Sequence, residues 1–269
     1  MASIEGRSAG IVLKSAREID LMRQSGRLVW QVLERMKELV RPGVTTGELN
    51  EVAEKMIADA GAIALFKGVR TAHAKIAFPA ALCTSINAEV VHGIPGDREL
   101  EEGSIVSIDC GVRLNGYCGD SARTFAVGRV DDRVKQLLEV TRGSLDLAIS
   151  EIRRGRMWSE IAKQIQAFVE GYGLSVVREF VGHGIGREMH EEPKVANYHD
   201  RSQKKSDFML ETGLTLAIEP MVNLGGAAVQ YARPDRWVVV TRDGSQAAHF
   251  EHTVAVTADG AEVLTRGDD

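Results

Sequence analysis

No apolar run in the chain is long enough to cross a bilayer, and none near its start resembles the core of a signal peptide, so a cytoplasmic address is expected. Cysteine is scarce: Cys83, Cys110 and Cys118 form an odd, sparse set that implies no disulfide framework. Their spacing also lacks the paired pattern of a structural zinc site. There is no excess of basic charge either. Thirty-eight Asp and Glu outnumber 33 Lys and Arg, and the net charge of -5 disfavours a protein held on nucleic acid by phosphate contacts. What remains is enough for a sizeable core, since 44% of the 269 residues are hydrophobic and 26% are charged.

Residues 1–13 have neither a helical nor a strand period, and Ile4-Glu5-Gly6-Arg7 resembles an engineered protease-cleavage site. They are read as a flexible tail ahead of a single domain spanning 14–269. A first helix is expected from Ser15, where Glu18 completes a capping box, with Met22, Val29, Val32, Leu33 and Met36 facing a core. Pro42-Gly43 stops it, and Thr45 with Glu48 caps a second helix carrying Leu49, Ala53 and Ile57. The pattern returns 112 residues later, with a helix about Val134 to Ile152, a break at Gly155 and a helix from Ser159 to Glu170. Two similar α/β halves, about 14–130 and 131–265, related by a pseudo-two-fold axis are therefore expected, in the α+β class. Glu192 to Gly213 reads as a long polar connection.

Chemistry is concentrated around an Asn115-Gly116 dipeptide between two apolar runs, a strong signal for a type I′ hairpin. A two-residue loop pairs Leu114 with Tyr117 and Gly111 with Asp120, which puts Asp109 and Asp120 on one face as diagonal neighbours. Like charges so placed need compensation, by a bound cation or by exposure to water. Glu219 and Glu251 interrupt two further apolar runs, and taken singly each reads as a strand-end acid facing solvent. The Gly-rich stretch GHGIGREMHE, from Gly182 to Glu191, adds His183 and His190 without the HExxH spacing of a zinc protease. His73 and His199 are expected to face solvent. The four acids carry four negative charges, which two divalent cations would cancel, with His183 as a neutral nitrogen ligand. That donor set suits Mn²⁺, Fe²⁺ or Co²⁺ and tolerates Zn²⁺.

Five motifs in order make the chain resemble the type I methionine aminopeptidases: TSINAEVVHGIP (Thr84 to Pro95), IDCGVRLNGYCGDSARTF (Ile108 to Phe125), GHGIGREMHE, LAIEPMVN (Leu216 to Asn223) and HFEHTVAVT (His249 to Thr257). The resemblance implies the pita-bread fold, two pseudo-symmetric α/β halves around a curved antiparallel sheet. It also implies a centre of two divalent metal ions on Asp109, Asp120, His183, Glu219 and Glu251, with Asp120 and Glu251 bridging. Glu219 is implied as the proton carrier, with His92 and His190 contacting substrate. Cys83, Phe78, Met189 and Trp237 would line the methionine pocket, beside a stretch from Val69 to Ala77 that departs from the family's Gly- and Tyr-rich run. The implied activity is removal of initiator methionine from nascent chains, preferably before a small second residue, by a monomer in transient contact with ribosomes. Two rival readings are a proline-specific pita-bread peptidase and a non-catalytic peptide-binding module. Relatives of the first carry an extra N-terminal domain, and the second would be expected to have lost ligands.

Overall fold

The computed structural model describes residues 10–71, 74–200, 206–232 and 236–267. Its first half begins with α1 (Ala16–Leu39) and α2 (Thr46–Asp59), each closed by the expected capping box, Ser15 with Glu18 and Thr45 with Glu48. The strands β1 (Ile63–Ala64), β2 (Leu82–Ile86), β3 (Glu89–Val91), β4 (Ile105–Leu114) and β5 (Tyr117–Ala126) follow. The second half repeats the helix pair as α3 (Asp132–Ser150) and α4 (Trp158–Gly171). It continues through β6 (Ser175–Val176), β7 (Gly182–Gly184), β8 (Glu191–Val195), β9 (Thr215–Ile218), β10 (Met221–Asn223), β11 (Val229–Tyr231), β12 (Val239–Thr241), β13 (Ala247–His249), β14 (His252–Val256) and β15 (Ala261–Val263).

The internal repeat is visible in the ladders. β1 pairs with β4 through Ile63↔Arg113 and Ala64↔Val112, and β6 pairs with β10 through Ser175↔Asn223 and Val176↔Val222. Gly43 and Gly155, at matching places between the helices of each pair, both have φ of 85°, a conformation that glycine adopts without steric cost. One counterpart differs. The helix expected from Ser159 begins at Trp158, and its cap, Met157, makes no side-chain cap bond. Asp207 serves instead, accepting from Ser159 N at 3.0 Å and Ser159 Oγ at 2.6 Å.

The strands form four short antiparallel sheets: β1-β4-β2 with β5 on β4, β13-β10-β6, β11-β12-β3, and β15-β14-β9-β7-β8. Helices α1 and α2 pack Val29, Leu33, Met36, Leu49 and Ile57 onto Leu82, Val106 and Ile108 of the first sheet. In the second half Ile161 and Ile165 of α4 pack with Leu216, Ile218, Val254 and Val256. At roughly 1.5–3 kcal/mol per buried aliphatic or aromatic side chain, these two cores hold the halves. Two expectations need correction. The polar connection from Glu192 contains most of β8, whose Val195 is fully buried. Within the expected tail, Ile11 and Leu13 pack partly buried against the second-half core, while residues 1–9, with the cleavage-like Ile4-Glu5-Gly6-Arg7, lie outside the described residues. So do His73 and residues 201–205 of the expected polar connection. His199 is exposed.

Candidate metal centre

The hairpin forms in the expected register. Leu114 pairs with Tyr117 and Gly111 with Asp120, and Asn115 and Gly116 take φ of 53° and 82°, as a type I′ turn requires. Gly111 leaves space for its partner: a Cβ there would sit 3.1 Å from Asp120 Oδ1 and 3.0 Å from Phe66 Cε1. Asp109 faces Cys83 across the β2–β4 ladder, so the floor of the pocket and the acid cluster share one sheet face.

The other acids arrive from the second half. Thr253 Oγ1 accepts from Asp120 N at 3.0 Å and donates to Asp120 O at 2.8 Å. Glu251 N donates to Ala122 O at 2.8 Å, and Ser121 Oγ donates to Glu251 O at 2.5 Å. These bonds stitch β5 to the start of β14 and carry Glu251 next to Asp120. Glu219 lies between β9 and β10, and its carbonyl accepts from Asn197 Nδ2 at 3.0 Å. The solvent-facing reading of the two glutamates is overturned: Glu251 is 2% exposed and Glu219 is largely covered. Both do lie at strand ends, but those ends point inward because the sheets of the two halves meet there.

His183 is held on β7, between β8 and β9. Its Nδ1 lies 2.9 Å from Gly184 O, and because a carbonyl only accepts, Nδ1 carries the proton and Nε2 keeps its lone pair. One ligand atom each from Asp120, His183 and Glu251 lie within 4.8 Å of one another. His183 Nε2 is 3.7 Å from Glu219 Oε1.

Electrostatics show what this cluster lacks. Burial, then the charges of Asp120 and Glu219, push the Asp109 carboxyl well above the ordinary carboxylate range. Burial and Glu219 raise Asp120 to about 8, burial raises Glu219 to about 8, and Glu251 is driven well above its usual value. Among the described residues no lysine or arginine offsets them. Asp109 Oδ1 and Asp120 Oδ1 are buried without a hydrogen-bond partner, and buried polar atoms are rarely left so. Burial and the neighbouring His190 lower His183 to about 4, so its imidazole is a neutral donor at physiological pH. The residues fit divalent cations: hard oxygens, uncompensated charge and one free imidazole nitrogen.

The cluster shares the lining of a pocket of about 240 Å³ with Phe78, Cys83, His92, Met189, His190 and Trp237. The rings of Phe78 and Trp237 meet edge to face at 5.2 Å, and Trp237 Nε1 donates to Ile76 O at 2.9 Å. The pocket wall thus includes the stretch that departs from the family run, with Val69 packed against it. His92 has φ of 61°, a strained choice for a non-glycine residue. It turns the chain out of β3 just before Gly93, where a Cβ would lie 2.1 Å from Thr84 O. The His190 ring lies 4.4 Å from that of His183.

Of the lining residues left unassigned at the sequence level, His249 and Phe180 touch groups of the centre or pocket. His249, 2% exposed, puts Nε2 3.6 Å from Glu219 Oε2 with no hydrogen-bond partner. Its signal was the His-x-Glu spacing with Glu251, which in an extended chain places both side chains on one face. Phe180 packs edge to face on His92 at 5.5 Å, and its solitary aromatic character gave no signal.

The profile of metallopeptidase family M24 matches residues 20–258. The methionine aminopeptidase of Clostridium perfringens is 47% identical over 255 residues, 95% of this chain and 98% of that protein. Methionine aminopeptidase 1 of Bacillus subtilis is 46% identical over 256 residues, 95% of this chain and 99% of its own length. Among solved structures, the methionine aminopeptidase from Rickettsia prowazekii superposes with a TM-score of 0.89 at 37% identity, covering 95% of this chain and all of its own.

Proposed function

The chain belongs to metallopeptidase family M24 and has its pita-bread fold, and from that membership we propose that it is a hydrolase removing N-terminal methionine from peptides and newly made proteins. The observation that carries this reading is the convergence of Asp109, Asp120, Glu219, Glu251 and His183, uncompensated, in the lining of one largely apolar pocket. A binding module that had lost chemistry would not retain four mutually repelling buried acids, because each costs several kcal/mol unless neutralised.

Asp109, Asp120, Glu219 and Glu251, with the neutral imidazole of His183, would hold two divalent cations. Such ions polarise a carbonyl and acidify water. Glu219, in its ionised form, accepts the attacking water's proton and returns it to the leaving amine. His190, at the mouth and beside His183, donates to the developing oxyanion. His92, projected by its left-handed backbone, hydrogen-bonds the substrate main chain. Cys83, Phe78, Met189 and Trp237 surround the methionine side chain, where a thioether meets sulfur and ring edges favourably. A small second residue is preferred, as the resemblance to the family implies.

The test is release of methionine from Met-Gly-, Met-Ala- and Met-Lys-headed peptides by metal-stripped protein repleted with Mn²⁺, Co²⁺, Fe²⁺ or Zn²⁺, beside Xaa-Pro peptides. Metal-dependent release, strongest with a small second residue and absent in Glu219→Ala, is expected. Cleavage of the Xaa-Pro peptides alone would select the proline-specific reading, and no cleavage under any metal would leave the binding module.

A further inference from the structure

The N-terminal segment is tied to the bend bearing Met189 and His190 by a buried ion pair that the chemistry above does not use. Lys14 is 7% exposed; its Nζ donates to Val12 O at 2.9 Å and to Glu191 Oε2. Glu191 directly follows His190, and its other oxygen accepts from Glu188 N at 3.2 Å. A single carboxylate therefore closes the bend on itself and fastens it to Lys14. Lys14 is anchored in turn, with its backbone N donating to Gly213 O at 2.7 Å and its neighbours Ile11 and Leu13 packed on the second-half core. The fit is close. A Cβ on Gly186, at the start of the bend, would sit 2.4 Å from Lys14 Cε and 2.6 Å from Glu191 Oε1. From the first half, Cys118 N donates to Gly186 O at 2.7 Å, two residues before Asp120.

A buried ion pair is a poor source of stability, because desolvation offsets much of its attraction, but it specifies direction as apolar packing does not. We propose that Lys14 is a positioning residue: acting through Glu191, it sets the bend so that His190 and Met189 face the pocket. This rests on the reading of His190 as oxyanion donor.

The test compares Lys14→Met, Glu191→Gln and the double variant in the full, metal-loaded chain. Each single change is expected to lower kcat by roughly 10- to 100-fold, as for a displacement on the order of 1 Å at a reacting group, with KM changed far less. The double variant should fall within about threefold of the worse single, since the two residues act as a unit. Independently of turnover, amide exchange at Glu188 in the metal-free protein should quicken at least roughly tenfold in both single variants, while Val29 and Leu33 of α1 keep their protection. Should Lys14→Met fail to fold, Glu191→Gln decides. A kcat within twofold of the parent or an unchanged Glu188 exchange rate overturns the proposal, and so does a lowered melting temperature with kcat retained. If the parent chain releases no methionine, the functional reading fails while the exchange measurement still decides the contact.

Discussion

Loading metal should expel protons, and the structure sets how many. Asp120 and Glu219 are raised to about 8, so each is roughly nine-tenths protonated at pH 7 in the metal-free protein. Asp109 and Glu251 lie well above their usual values and add further protons. His183, lowered to about 4, is already neutral and contributes none. Ligands must be deprotonated to bind, so filling the centre at pH 7 should release between about two and four protons, and log Kd should change by about that many units per pH unit below pH 7. Calorimetric titration with Mn²⁺ in buffers of different ionisation enthalpy measures the number directly. A matching signature belongs to the empty protein. The buried acids bind extra protons in the native state, while His92, His183, His190, His249 and His252, lowered by burial, bind fewer below about pH 6.5 and oppose them there. The acids' effect therefore stands alone above roughly pH 7, where their contribution to stability should be lost as pH rises through 8. Bound metal should abolish the decline. Release of less than one proton, or an empty protein that gains stability from pH 7 to 8, would refute the reasoning.

Other consequences are local. His190→Ala should lower kcat roughly 10²-fold or more, as for loss of an oxyanion donor, with calorimetric metal affinity retained; intact kcat would remove His190 from that role. Trp237→Phe deletes the Nε1 bond to Ile76 O, worth about 1 kcal/mol; KM for Met-Ala peptides should rise by roughly fivefold at little change in kcat, measured by steady-state kinetics. Gly116→Ala forces a side chain onto φ of 82° and should cost about 1 to 2 kcal/mol in urea unfolding, without altering the metal stoichiometry.

The parts of the molecule governed by short-range rules were legible in the sequence. An Asn-Gly turn admits one register, and that register alone places Asp109 and Asp120 together. The capping boxes at Ser15 and Thr45 depend on residues three apart and were equally readable. What was not readable depends on partners far along the chain. The α4 terminus takes its cap from Asp207, β8 hides in a polar stretch because Val195 is buried only once it joins the second-half core, and Glu251 faces inward because Ala122 O holds its amide. The motif resemblance gathered the pocket residues before any geometry was known, yet passed over His249, whose closeness to Glu219 exists only once β13 lies beside β10.

The repeat explains why the charge gathers where it does. Ala64↔Val112 and Val176↔Val222 are equivalent pairs, so Asp109 and Glu219, each three residues before its valine, stand at corresponding places in the two halves. Across the same ladders Val112 faces Gly119 and Val222 faces Ala248, which brings the regions of Asp120 and Glu251 to the shared seam. One half alone would present an acidic strand face that could remain solvated. Two halves packed seam to seam bury both sets at once, and the same packing that supplies the hydrophobic core removes the water that would have screened them. A cation would therefore complete the assembled interior, because the apolar packing of two half-sites has made an uncompensated cluster that nothing else in the described structure neutralises.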